Sequence, residues 1–74
     1  MKTAREMFEE LGYKKLERLD FNHHIGYEKG RNYIWFHIPT KTYISNDSYN
    51  YKRDITLEEH KAIHQQLKEL GWIE

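Results

Sequence analysis

The sequence predicts an α+β domain: a helix, an antiparallel meander of three to four strands and a second helix, with both helices packed on one sheet face. Both end segments begin with a helix-capping pattern and continue with apolar residues at helical spacing. The middle of the chain is rich in aromatic and β-branched residues interrupted by turns. A chain of 74 residues is predicted to form one domain, residues 1–74. At this size, the stabilisation from a single hydrophobic core barely exceeds the conformational entropy lost on folding.

The first helix is predicted over residues 4–11. Thr3 and Glu6 have the spacing of a capping box, in which the hydroxyl accepts from one free backbone N–H and the carboxylate accepts from another. Gly12 is the left-handed residue that typically ends a helix. The apolar stripe between these signals consists of Ala4, Met7, Phe8 and Leu11.

The second helix is predicted over residues 57–70. Thr56 and Glu59 repeat the capping box, and Gly71 marks the end of the helix. Acidic residues in the first turn favour the same start, because they interact well with the helix dipole. The face predicted to point inward consists of Leu57, His60, Ile63, His64, Leu67 and Leu70.

A central strand is predicted over residues 32–38, because aromatic and β-branched residues dominate this segment and Gly30 and Pro39 mark its ends. Side chains of a strand alternate between two faces. One set is typical core material: Ile34, Phe36 and Ile38. The other set has aromatic rings with polar tips: Tyr33, Trp35 and His37. This second set is typical of a partly solvent-exposed surface or of an interface.

Further strands are predicted on both sides of the central strand. Residues 19–29, with a start as early as Leu16, show period-two alternation, and Gly26 inside them indicates a bulge or a close approach of backbone. A proline turn leads into another strand over residues 41–45. If the chain reverses direction again after residue 48, residues 49–53 form a short fourth strand at the edge of the sheet.

Composition excludes several classes of protein. The chain has 12 basic and 12 acidic residues, so net charge does not draw it to nucleic acid or anionic lipid. It contains no cysteine, which excludes disulfides and thiol chemistry. No segment has the pattern of a signal peptide or the apolar length of a membrane span. We therefore predict a cytoplasmic protein without membrane contact.

The sequence contains no motif of a catalytic site. It has neither a phosphate-binding glycine loop nor a nucleophile elbow, and a chain of 74 residues struggles to enclose a substrate pocket. We therefore predict a protein that is not an enzyme and has no cofactor.

Histidine is the residue type that comes nearest to a metal site. His60 and His64 are four residues apart on the predicted second helix, so their rings can reach one metal ion. The metalloprotease pattern needs glutamate directly after the first histidine, whereas Glu59 precedes His60. A third ligand could come from the strands: His23, His24 or His37. Ring packing at a helix edge explains the spacing equally, and we predict no metal site.

The aromatic and basic residues of the sheet give the main functional hypothesis. The candidate binding residues are Tyr33, Trp35, His37, Tyr43 (or Tyr27), Arg31, Lys41 and Lys52. Tyrosine, tryptophan and arginine dominate protein interfaces, so the set predicts contact with a protein partner or with a second copy in a homo-oligomer. The same residue types also suit single-stranded nucleic acid, with bases stacked on the rings and cations on phosphates. The first interpretation is preferred and the second is the alternative.

Three stretches cover most of the chain: residues 3–13, the aromatic hairpin from Tyr33 to Tyr43, and residues 55–72. With these features the chain resembles small proteins found in phages and prophages of low-GC Gram-positive bacteria. Small proteins of this type commonly act by binding a host protein or nucleic acid. The resemblance implies a bacterial or phage cytoplasmic protein and assigns no function to it. It transfers no active site.

Overall fold

The structure, a computed structural model, describes residues 2–18, 23–48 and 54–74. Along the described chain, one helix precedes and one helix follows a four-stranded antiparallel sheet. Neighbouring strands in this sheet are also consecutive in the sequence. The elements are α1 (Ala4–Glu10), β1 (Lys14–Lys15), β2 (His24–Lys29), β3 (Asn32–His37), β4 (Thr42–Asp47) and α2 (Leu57–Glu69). The predicted α+β class and the helix–meander–helix order are confirmed.

Both helices begin with the predicted capping box. The Thr3 hydroxyl accepts from the Glu6 N–H at 3.2 Å, and Glu6 accepts from the Thr3 N–H at 2.9 Å. This backbone hydrogen bond from Thr3 is the main reason that the pKa of Glu6 is lowered. The same reciprocal pair joins Thr56 and Glu59, at 3.1 and 3.0 Å. Local sequence therefore sets where each helix starts.

The strand predicted over residues 19–29 is shorter in the structure. β2 begins at His24, residues 19–22 lie outside the described residues, and the segment near Leu16 does not extend β2. That segment instead pairs antiparallel with β2, and the Leu16 N–H donates to the Gly26 carbonyl at 2.8 Å. Of the two alternatives predicted at Gly26, the bulge does not occur in the β2–β3 pairing, since the register runs through Gly26 unbroken.

The strand after the proline turn is longer than predicted. β4 extends to Asp47, because its pairing with β3 continues through all six residues of both strands. Ile38, predicted as core, lies just beyond β3 and is half-buried. The fourth strand of the sheet is β1, and the edge strand predicted over residues 49–53 lies outside the described residues.

The hydrophobic core lies on one face of the sheet, beneath both helices. The Phe8 ring of α1 stacks on Tyr27 of β2 with centroids 4.1 Å apart, and the Tyr27 hydroxyl donates to Gln66 of α2 at 2.8 Å. The core cluster consists of Phe8, Tyr13, Tyr27, Ile34, Phe36, Ala62 and Ile63. The prediction that both helices pack on the same face is confirmed.

The inward face of α2 differs from the prediction. Leu57 is 62% exposed, and His60 and His64 are exposed. The buried residues are Glu59, Ala62, Ile63 and Gln66. Two core tyrosines explain this rotation, because their buried hydroxyls need hydrogen-bond acceptors and Glu59 and Gln66 supply them. Leu67 and Leu70 pack at the margin of the core, as half-buried residues.

The turn between β3 and β4 contains a strained residue. The Lys41 N–H donates to the Ile38 carbonyl at 3.3 Å, and Lys41 has a φ of 56°, which disfavours any residue with a Cβ atom. We expect Lys41→Gly to raise the free energy of unfolding by about 0.5–1 kcal/mol, because relief of roughly 1–2 kcal/mol is partly offset by the greater chain entropy of glycine. Thermal unfolding tests this. Lys41→Ala keeps the Cβ and should show no gain, so an equal rise in both variants would contradict the explanation.

Candidate binding face of the sheet

The sheet face opposite the helices is the candidate site. Directly paired residues of neighbouring antiparallel strands share a face, so the register identifies its members. Tyr33, Trp35 and His37 supply the row from β3. The paired rows are His24, Gly26 and Glu28 from β2, and Thr42, Ile44 and Asn46 from β4. We call this set of nine residues the aromatic face.

The centre of the aromatic face combines packed rings with an exposed aliphatic side chain. The rings of Tyr33 and Trp35 lie 4.9 Å apart at 44°, and Asn46 donates its amide to the Tyr33 hydroxyl at 3.3 Å. Trp35 is directly paired with Gly26 of β2 on one side and with Ile44 of β4 on the other. Tyr33 and Trp35 are half-buried, whereas Ile44 is 40% exposed.

The indole N–H of Trp35 is a polar group without a partner. Its Nε1 atom is buried and makes no hydrogen bond within the described part of the chain. A buried donor without an acceptor costs about 1–3 kcal/mol, which a fold optimised only for stability would avoid. Such groups therefore draw attention to a surface that has a role other than stability.

Two histidines occupy one end of the aromatic face. His24 and His37 are directly paired across β2 and β3, and their ring centroids lie 4.5 Å apart with the planes at 86°. Both rings are half-buried. His23, the residue before β2, is exposed and has a φ of 58°. The opposite end of the face carries Glu28, and its directly paired neighbour in β1 is Lys14, so this end bears one charged residue of each sign.

The structure separates both neighbouring tyrosines from the predicted platform. Tyr43 pairs with Phe36, and their rings are 5.5 Å apart, which places Tyr43 on the helix-covered side of β4. Tyr27 lies in the core against Phe8. The prediction that either tyrosine lies beside Trp35 is therefore corrected. The reason is the register, which depends on the length of the turn and cannot be seen from the composition of each strand.

The predicted basic residues do not surround the aromatic rings. Arg31 lies in the turn before β3, where its Nε donates to Asp47 on the helix-covered side at 2.9 Å. Lys41 lies in the turn after β3 and is exposed. Lys52 lies outside the described residues. Among the described candidates, the rings Tyr33, Trp35 and His37 are brought together and the cations are not.

Sequence reasoning missed six of the nine members of the face, and Ile44 and His24 are the two that matter most for its chemistry. Both could have been found from the pairing rule, because the four residues 38–41 form the turn and thereby pair Trp35 with Ile44. The β2–β3 hairpin likewise pairs His24 with His37. The necessary signal was the length of each turn rather than the composition of each strand.

The helices offer two further features. His60 and His64 lie on the exposed side of α2 with ring centroids 6.4 Å apart. No group of three potential metal ligands occurs within residues 2–18, 23–48 and 54–74. A cavity of about 130 Å³ lies between α1 and α2, with a floor of Met7 and Leu11 and a charged rim of Lys2, Glu10, Glu58 and Lys61. This volume is below the roughly 300–1,000 Å³ of ordinary ligand pockets.

Comparison with known proteins adds no relative: no protein-family model, curated protein or solved structure matches the chain. None of the described helices has the length and apolar character needed to cross a membrane. The class that the fold defines is therefore a small α+β domain, and the functional argument depends on its aromatic face.

Proposed function

We propose that the protein is a non-enzymatic binding module that contacts another polypeptide chain, a partner protein or a second copy of itself, through the aromatic face. The observation that carries the proposal is the exposed Ile44 beside the half-buried rings of Trp35 and Tyr33, on the side of the sheet that the helices leave uncovered. Aromatic anchors next to apolar side chains are the usual centre of a protein interface. The setting that the sequence predicts for such a module is the cytoplasm, in a protein of the phage or prophage type.

Charge supports a protein partner over nucleic acid. Phosphate binding needs free cations near the stacking rings. Arg31 is instead paired with Asp47, and Lys29 lies on the helix-covered side, where its ammonium is 5.9 Å from the Tyr13 ring. These positions disfavour a polyanion at the rings.

Single-stranded nucleic acid is the second candidate, because one observation favours it. The adjacent rings of Tyr33 and Trp35 resemble the platforms on which unpaired bases stack. Such binding would weaken steeply with added salt, whereas an apolar protein interface would not.

Site-specific photo-crosslinking tests the proposal. A benzophenone amino acid replaces either Thr42, which is exposed on the aromatic face, or Leu57, which is exposed on α2. In cell extract and in purified protein, we expect adducts with polypeptide from position 42 and few from position 57. Ile44→Glu should abolish the adducts, because it places a charge at the centre of the face.

Several outcomes distinguish the alternatives. Adducts that resist nuclease and have the mass of two copies identify a homo-oligomer, and larger nuclease-resistant adducts identify a partner protein. Nuclease-sensitive adducts support the nucleic-acid alternative. Equal yields from positions 42 and 57, or yields unaffected by Ile44→Glu, would overturn the proposal. Leu57→Glu is the matched control, since it removes an apolar side chain that is exposed far from the face.

A further inference from the structure

Two imidazole rings meet at one end of the aromatic face. His24 and His37 form a non-hydrogen-bonded pair of β2 and β3, as shown by the bond of the Ile38 N–H to the His23 carbonyl at the neighbouring pair. Side chains in such pairs lie closer together than in hydrogen-bonded pairs. The ring centroids are accordingly only 4.5 Å apart. The strands thus hold two imidazole rings in contact with each other.

Among the described residues, the two rings have no other polar partner. Within the described residues, neither imidazole forms a hydrogen bond or an ion pair with another side chain, and their recorded contact is the edge-to-face contact with each other. Both side chains are half-buried, so each is partly accessible to solvent and partly packed against the sheet. Neutral imidazole nitrogen is a good ligand for zinc, nickel and copper ions.

We infer that His24 and His37 form the protein part of a binding site for a divalent transition-metal ion of the Zn²⁺ class, with water completing the coordination. A metal ion bound about 2.0–2.1 Å from each nitrogen requires two rings separated by only a few ångströms. The paired strands already hold the rings at such a separation, so little conformational freedom is lost on binding. The inference does not depend on the function proposed above.

The helical histidines provide an internal comparison. His60 and His64 are the same residue type and also form a pair, yet their centroids are 6.4 Å apart and both side chains are exposed on α2. To bind one ion, both exposed side chains must be restricted to a single rotamer, and this loss of conformational entropy opposes binding. The sheet pair should therefore bind first as the metal concentration rises.

The test uses the protein without an affinity tag, because tag histidines bind the same metals. Substoichiometric Ni²⁺ is added to ¹⁵N-labelled protein, and paramagnetic broadening is followed in NMR spectra. We expect the first broadened signals to be those of His24, His37 and the adjoining Trp35. Zn²⁺ should raise the melting temperature by several degrees.

Matched variants decide the assignment. His24→Gln and His37→Gln should each lower Ni²⁺ affinity by about tenfold to 100-fold, because the second imidazole no longer binds intramolecularly. The double variant His60→Gln/His64→Gln should keep wild-type affinity. Broadening centred on α2, or no saturable binding to the wild-type protein, would overturn the inference. The wild-type NMR titration remains decisive even if a strand variant folds poorly.

Discussion

Phe8→Ala is expected to lower the free energy of unfolding by about 3–5 kcal/mol, the usual cost of truncating a fully buried phenylalanine. Phe8 is 0% exposed, stacks on Tyr27 and meets Tyr13 edge to face at 5.6 Å. A single side chain of α1 therefore joins the helix to the sheet and to the segment before β1. Because small cores supply only about 3–5 kcal/mol of net stability, most molecules of this variant should be unfolded at room temperature.

Urea unfolding followed by circular dichroism measures this effect. Met7→Ala is the matched control, since Met7 is the neighbouring residue of α1 but is only half-buried at the margin of the core. Its loss of stability should be clearly smaller. Equal losses in the two variants would show that the aromatic stack contributes little beyond the general apolar character of α1.

Glu59→Ala is the second substitution with a large expected effect. One carboxylate oxygen of Glu59 accepts from the Thr56 N–H at 3.0 Å, and the other accepts from the buried Tyr13 hydroxyl at 2.5 Å. Alanine removes the capping interaction and leaves the hydroxyl buried without this acceptor. We expect a loss of about 2–4 kcal/mol, combining the cost of a lost cap with that of a lost buried hydrogen bond to a charged acceptor.

Two comparisons isolate the buried hydrogen bond. Glu6→Ala removes the equivalent carboxylate from the capping box of α1, where Glu6 is exposed, and should destabilise the protein less. In the Tyr13→Phe background, Glu59→Ala should cost less than in the wild type, because no hydroxyl is left without an acceptor. Additive losses in the double variant would contradict a role for the Tyr13–Glu59 bond. Equilibrium unfolding at neutral pH measures the wild type and the four variants.

Local sequence signals predicted the parts of the fold that local interactions determine. The two capping boxes involve residues three positions apart, so Thr3 and Thr56 mark their helix starts independently of the rest of the chain. The alternation of β3 is equally local, and its inward residues Ile34 and Phe36 are fully buried as predicted. The grouping of Tyr33, Trp35 and His37 on the opposite side follows from the same alternation.

Tertiary structure decided what depends on contacts between distant segments. The strand register, which follows from the turns and not from the alternation within one strand, placed Tyr43 against Phe36 and brought His24 to His37. The orientation of α2 was set by two buried hydroxyl groups, which drew the polar residues Glu59 and Gln66 inward in place of Leu57 and His60. Apolar periodicity predicts that a helix has an inward face. Which residues occupy that face depends also on the hydrogen bonds that the core must satisfy, and these partners are 46 and 39 residues away in the chain.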